Sequence, residues 1–228
     1  RMGIAVRGAD GTMALLTGNQ IGSIMAWHRT RRMFQNGILT AANRGAAVIV
    51  KTFVTTELQK SIADKFGLQC VNTLTGFKYI GAKLTKYEEA IPAALRRDYF
   101  SLPEEATRAL RLEHSRFFVF GGEESYGYSG ADFVRDKDAN SSVVMIAEAA
   151  AFAKSQGKTL LDLLDDIYCE FGYYLERGES ITLEGAEGSA QISRLIQSYS
   201  ENPPASLAGR AVLGVRNFAT ETIHDEEG

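Results

Sequence analysis

The sequence predicts an α/β fold: a three-layer α/β/α arrangement around a mainly parallel, mixed sheet. Short apolar runs at residues 47–50, 68–71 and 116–120 have strand length, and helical patterns alternate with them. Alternating β and α segments build a parallel sheet covered by helices on both faces. The chain of 228 residues is 45% hydrophobic and 23% charged, enough to bury a sizeable core beneath a solvated surface.

Each element has a local reason. Residues 3–6 are apolar, Asp10-Gly11 is a turn pair and residues 13–16 suit a returning strand, so 3–16 read as a β-hairpin. Thr17 caps a helix to about Phe34, with Ile21, Ile24, Met25 and His28 on one face. After the strand at 47–50, Thr55 or Thr56 caps a helix through Lys65, which Gly67 ends. The strand at 68–71 precedes a helix over 77–84. Residues 85–115 are highly charged and partly helical, and read as an insertion rather than core. The strand at 116–120 runs into Gly121-Gly122 and a Gly/Ser/Tyr-rich loop reaching Lys137. Helices follow over 141–154 and 159–171, separated by Gly157. Residues 173–176 and 179–183 resemble strands, and 187–198 an amphipathic helix. Pro203-Pro204 marks a linker, and residues 211–215 begin a new strand.

Composition narrows the function classes. A net charge of −3 with no basic stripe argues against a nucleic-acid partner. No apolar run approaches the roughly 20 residues of a membrane span. Cys70 and Cys169 are far apart and fit no metal-ligand spacing, and His28, His114 and His224 are scattered; two reduced, buried thiols in a cytoplasmic protein are expected. No Ser-His-Asp or Cys-His set assembles, and Asp165-Asp166 read as exposed helix charges. Gly3, Gly8 and Gly11 do not make a dinucleotide fingerprint.

Three segments are candidates for chemistry, each with a plain alternative. In Gly121-Gly122-Glu123-Glu124-Ser125-Tyr126-Gly127-Tyr128, carboxylates and a hydroxyl follow a buried strand between glycines. A carboxylate accepts from two donors, which suits vicinal sugar hydroxyls; the same residues also read as a solvated turn. Thr75-Gly76-Phe77-Lys78 opens a helix, where free N–H groups and Lys78 suit a phosphate; it also reads as a capped helix with a solvated lysine. Arg135-Asp136-Lys137-Asp138 reads either as an anion site or as a helix-start charge cluster with Asp138 as the cap.

The order of these three segments resembles the third domain of the α-D-phosphohexomutases, the family of phosphoglucomutases and phosphomannomutases. Further agreement comes from Leu16-Thr17-Gly18-Asn19-Gln20-Ile21-Gly22, Val50-Lys51-Thr52-Phe53-Val54-Thr55-Thr56 and Thr73-Leu74-Thr75-Gly76-Phe77-Lys78-Tyr79-Ile80-Gly81. Phe171-Gly172-Tyr173-Tyr174 and Thr182-Leu183-Glu184-Gly185 resemble the bacterial phosphoglucomutase branch. Gly122 marks a departure, since close relatives can carry a different residue just before Glu-Glu-Ser; it is neutral if only backbone geometry matters.

The resemblance implies a piece of a four-domain enzyme, with flanking fragments of neighbouring domains around the third. Residues 1–16 would end the second domain and 17–170 form the third, with 85–115 inserted. Residues 171–204 would connect, and 205–228 begin the fourth. Glu123 and Ser125 match sugar-hydroxyl readers, and Thr75 and Lys137 match positions that contact the phosphosugar. Lys78, Arg135 and Arg1 are further substrate-binding candidates. Arg1 matches the arginine closing a metal loop whose aspartates would lie just before it, so Mg²⁺ is expected in the parent enzyme with no ligand here. No catalytic residue is expected in this piece. The implied reaction interconverts glucose 1-phosphate and glucose 6-phosphate through a phosphoserine enzyme and a hexose 1,6-bisphosphate, with the other domains of the same parent chain as partners. The piece alone is expected to be inactive. Phosphomannomutase, phosphopentomutase and a non-catalytic sugar-phosphate-binding protein are the alternatives.

Overall fold

The computed structural model describes residues 1–8, 10–178 and 180–212. The chain divides into two units, one from Arg1 to Leu175 and one beginning at Glu176.

In the first unit, β1 (Ala5–Arg7) pairs antiparallel with β2 (Met13–Leu15) around the Asp10-Gly11 turn. Asp10 Oδ1 accepts from Thr12 N and Oγ1 at 3.0 and 2.7 Å, which fixes that turn. Helix α1 (Gly18–Gln35) begins with a capping box. Gln20 N donates to Thr17 Oγ1 at 3.3 Å, and Thr17 N donates back to Gln20 Oε1 at 2.9 Å. Ile21, Ile24, Met25 and His28 are all buried, as their spacing requires.

The main sheet has the order β4-β3-β5-β6. Strands β3 (Ala47–Thr52), β4 (Gln69–Thr73) and β5 (Phe117–Glu123) run parallel, and β6 (Gly127–Ser129) returns antiparallel to β5. Every residue of β3 and β5 is buried, the signature of a sheet covered on both faces. Strand alternation divides the core. Val48, Val50, Val71 and Phe118 pack with Phe77, Ile80 and Leu84 of α3 (Phe77–Glu89). Ile49, Cys70 and Val119 face the other way, toward α1, α2 (Leu58–Phe66), α6 (Ala139–Ser155) and α7 (Leu160–Phe171). A register shift between Val48 and Ile49 against β5 brings Val119 and Phe120 into that same cluster. These are the three layers that the alternation predicts.

The chain therefore leaves β3 toward one face and β4 toward the other. The crevice at the carboxyl ends of such strands is where ligands bind in open α/β sheets.

Several local expectations change. Glu57, not Thr55 or Thr56, is the N-cap of α2 and makes no side-chain cap bond; Thr56 Oγ1 instead accepts from Leu58 N at 3.2 Å. The segment 85–115 folds into the end of α3, α4 (Ala93–Arg96), a 3₁₀ turn at Tyr99–Ser101 and α5 (Glu104–His114). It buries Tyr87, Ile91, Tyr99 and Arg111. Strand β6 lies within what reads as a loop, because three residues are too short a run to show alternation. Residues 173–176 are not a strand: Tyr173 and Leu175 are exposed and have no ladder partner. Of the two thiols expected to be buried, Cys70 is buried and Cys169 is exposed.

The second unit contains α8 (Gly185–Glu201), whose Ile192, Leu195, Ile196 and Tyr199 form an exposed stripe at helical spacing. Residues 180–183 are not a strand, and Glu179 lies outside the described residues. After the proline pair, β7 (Ser206–Leu207) and β8 (Arg210–Ala211) form a two-residue hairpin in which Ala208 and Gly209 take φ values of 48° and 77°. The strand expected over 211–215 thus begins one residue earlier, and residues 213–215 lie outside the described residues. Among the described residues, no helix is long and apolar enough to cross a membrane.

Candidate functional site

Strand β5 ends on Gly121, Gly122 and Glu123, each paired across to β6 through Ser129, Tyr128 and Gly127. A Cβ on Gly121 would stand 2.7 Å from the Phe118 ring. One on Gly122 would stand 3.2 Å from Phe120 and 3.3 Å from Tyr128, two rings that stack there with centroids 6.3 Å apart. Gly122 therefore matters for packing as well as for backbone geometry.

The tip, Glu124-Ser125-Tyr126, reverses the chain with Tyr126 at φ 68°. It rests directly on the start of α1: a Cβ on Gly18 would lie 1.8 Å from the Glu124 carbonyl oxygen. Tyr128 Oη donates to Gly18 O at 2.9 Å, and burial pushes that phenol well above its usual range. Glu124 Oε2 accepts from Thr52 Oγ1 at 3.3 Å and Thr55 Oγ1 at 3.5 Å. Below them the fully buried Lys51 Nζ donates to Thr55 O at 3.0 Å and to Glu57 Oε1 at 2.7 Å, bracing the loop after β3.

Glu123 is only 4% exposed. Its Oε1 accepts from Gly76 N at 3.1 Å, tying the end of β5 to the amino end of α3. Gly76 has φ 120°, a conformation open to glycine and strained for other residues. A Cβ on Gly127 would stand 2.8 Å from Glu123 Oε2 and 3.0 Å from Lys137 Cδ, so both side chains cross over that α-carbon. Lys137 Nζ lies 3.0 Å from Asp136 Oδ1 and 5.6 Å from the Phe77 ring centroid. Hydrogen bonds from Lys137 hold the Asp136 carboxyl below the usual carboxylate range. Glu123, the 75–77 turn and Lys137 thus meet at the carboxyl ends of β4 and β5, with Thr75 exposed in that turn.

The other candidates have partners of their own. The Arg1 guanidinium donates to the Ser125 carbonyl, and both residues line a cavity of about 560 Å³ with Met2, Leu16 and Tyr126. Glu123, Thr75 and Lys137 are not among the residues lining it. Lys78 is exposed, with Nζ 4.8 Å from the Tyr79 ring centroid. The Arg135 guanidinium pairs with Glu88 on α3. Among the described residues, there is no group of three or more His, Cys, Asp or Glu side chains that could hold a metal ion.

Gly18, Thr52, Thr55 and Gly127 shape the site, although the sequence motifs that contain them assign them no site role. The contact between Gly18 and Glu124 joins positions more than a hundred residues apart, and no spacing rule reveals it. Gly127 carried a readable signal, since it closes the glycine-flanked carboxylate loop.

A family model described as phosphoglucomutase/phosphomannomutase, alpha/beta/alpha domain III, matches residues 17–97 and 104–171. It takes in most of the segment read as an insertion, leaving out only 98–103 between its two parts. A phosphoglucomutase of Staphylococcus aureus strain USA300 is 30% identical over 224 residues, covering 98% of this chain and 35% of that protein. One from Staphylococcus epidermidis is 30% identical over 220 residues, covering 96% and 34%. The chain thus spans about a third of the length of these relatives. A crystal structure of a candidate phosphomannomutase from Thermus thermophilus matches with TM-score 0.47 and 20% identity, over 69% of this chain and 26% of that one. The order of motifs and the match over both halves of the sheet agree: this chain belongs to the phosphoglucomutase/phosphomannomutase family and carries its α/β/α domain III.

Proposed function

We propose that this chain supplies sugar recognition to a phosphoglucomutase, which interconverts glucose 1-phosphate and glucose 6-phosphate through a phosphoserine enzyme and a hexose 1,6-bisphosphate. The observation that carries the reading is the meeting of Glu123, the Gly76 turn and Lys137 at the strand ends. Glu123 is an acceptor held in place, suited to a hexose hydroxyl. Lys137 is a cation beside it, suited to the attached phosphate. Thr75 stands exposed in the turn that donates to Glu123 and completes the phosphosugar contacts. Ser125, at the loop tip, takes a second hydroxyl. Lys78 and Arg1 add positive charge at the margins, whereas Arg135, paired with Glu88, acts on the loop that carries Lys137.

A mutase must accept its sugar in two opposite orientations. A carboxylate reading hydroxyls near the middle of the ring serves both. Removing one buried hydrogen-bond partner costs about 1–3 kcal/mol, so Glu123→Gln should weaken glucose 1-phosphate binding roughly tenfold to a hundredfold. Calorimetric titration of this chain with glucose 1-phosphate and mannose 1-phosphate is the test. Equal affinity in wild type and Glu123→Gln for both sugars would remove Glu123 from the site. A clear preference for the mannose compound would move the assignment to phosphomannomutase.

A further inference from the structure

We infer that Arg111, carried by the charged segment after α3, is a positioning residue for the loop 130–137 and, through it, for Lys137. Arg111 is the largest fully buried side chain of the described residues, at 1% exposure. An arginine is almost never buried unless its charge is met. Its Nε donates to Tyr99 Oη at 2.8 Å and its Nη1 to Leu84 O at 3.3 Å. Its Nη2 stands 3.0 Å from Asp132 Oδ2 and 3.9 Å from Glu88 Oε2, as a charge contact rather than an aligned hydrogen bond. Tyr99 Oη in turn lies 3.4 Å from Asp132 Oδ2, and Glu88 pairs with Arg135.

The network therefore reaches two points of one loop. Asp132 and Arg135 stand five and two residues before Lys137, and each is held from the α3–α5 segment. The same loop is met from below. A Cβ on Gly81 of α3 would lie 2.5 Å from the Arg135 carbonyl oxygen, so backbone and helix touch. Upstream, Arg29 of α1 donates from Nε to Val119 O at 2.7 Å and from Nη2 to Gly130 O. Downstream, Asp138 N donates to Tyr128 O at 2.8 Å. With both ends held at the backbone, the middle of the loop has charge pairs as its side-chain tether, beside the Gly81 contact. Two carboxylates, Glu88 and Asp132, face two guanidiniums, Arg111 and Arg135, so the cluster is neutral only when complete. Removing Arg111 leaves two carboxylates facing the single cation Arg135, and the loop middle relaxes toward solvent to hydrate them.

The segment 85–115 thereby sets where the Lys137 ammonium sits relative to Glu123. The ligand arm of the test rests on the proposed role of Lys137. The exchange arm does not, and the two failures are distinguishable.

The test uses Arg111→Met, Arg111→Lys and Tyr99→Phe in this chain. Backbone amide exchange should rise about tenfold over residues 131–137 in Arg111→Met, with β3, β4 and β5 unchanged, and by a smaller factor in Arg111→Lys and Tyr99→Phe. The affinity for glucose 1-phosphate should fall about tenfold in Arg111→Met and recover in part in Arg111→Lys. Adding Arg111→Met to Lys137→Met should cost nothing further, because a positioning residue acts through the group it places. Unchanged exchange over 131–137 in a folded Arg111→Met or Tyr99→Phe protein overturns the inference, as does an increase spread evenly over the sheet. Additive losses of affinity in the double variant overturn the link to Lys137. Should Arg111→Met fail to fold, Tyr99→Phe, which deletes a single hydroxyl, decides. If wild type does not bind glucose 1-phosphate while the exchange result holds, the positioning stands and the sugar reading falls.

Discussion

Two neighbouring loops present the candidate ligand groups, and they are held by different balances of contact and charge. The loop 121–127 is fixed by contact. It is pinned by its ladder to β6, by glycines under aromatic rings and by a carbonyl lying on Gly18. The loop 130–137 also meets α3 by contact, where Gly81 lies against the Arg135 carbonyl, but its Asp132 and Arg135 side chains are held by charge, tethered to Arg111 and Glu88. Steric placement is stiff and tolerates no added atom. Ionic placement is adjustable and depends on every partner being present. The group proposed to read hydroxyls is thus the more rigid one, and the group proposed to meet a phosphate is the more compliant.

The sharpest way to break this contrast is Gly18→Ala. A methyl placed 1.8 Å from the Glu124 oxygen forces the tip off α1, and the loss should reach about 3 kcal/mol in denaturant unfolding. A change below about 1 kcal/mol would show that the tip is as movable as its neighbour. Next in size are the two capping boxes. Thr17→Ala and Thr159→Ala should each cost about 1 kcal/mol, since each removes the oxygen that accepts from the third helical N–H. Only Thr17 adjoins Gly18, so only Thr17→Ala should also weaken glucose 1-phosphate binding. Equal loss of affinity in both variants would mean that general stability, not the seat of the tip, controls the site.

Salt separates the loops more gently. Raising sodium chloride from about 0.1 to about 1 M should increase amide exchange over 131–137 roughly twofold and leave 123–126 unaltered, because partly buried pairs are screened incompletely. Parallel responses of the two loops would erase the distinction.

The smallest effect is acid. Hydrogen bonds to Ser141 and Asn140 hold Asp138 below its ordinary value of 3.8, and hydrogen bonds to Lys137 do the same for Asp136. A carboxylate depressed by folding contributes stability above its unfolded pKa and loses it as pH falls through the folded one. Followed by NMR, the Asn140 and Lys137 amide shifts should therefore titrate with midpoints below 3.8, while the 121–127 ladder amides stay constant. Midpoints at or above 3.8 would contradict the caps.

Much of the fold was legible because its signals are local. Capping by Thr17 and Asp138, the left-handed Gly67 and the apolar runs of β3 to β5 each announce themselves within a few residues. Failures had equally local causes. Tyr173 to Glu176 has strand-like composition, yet no neighbouring strand offers a ladder, and β propensity without a partner yields exposed chain. The charged segment 85–115 resembles surface by composition. Arg111 and Tyr99 are buried in it because Asp132 arrives from the loop 130–137 to join Glu88 of the segment itself. At the site, Glu123 and Lys137 could be proposed from motif order, but their crossing over Gly127 is a tertiary fact. So is the commitment of Arg135 to Glu88, which spacing cannot disclose.

The bond from Gly76 to Glu123 has one more effect. With Oε1 engaged by a main-chain donor, the terminal torsion of the carboxylate cannot swivel without breaking that contact. Oε2 then points along one bearing, and a hydroxyl must arrive on that line to be received. The side chain behaves as an aimed acceptor, and under the proposed role selectivity among hexoses would be a question of angle as much as of affinity.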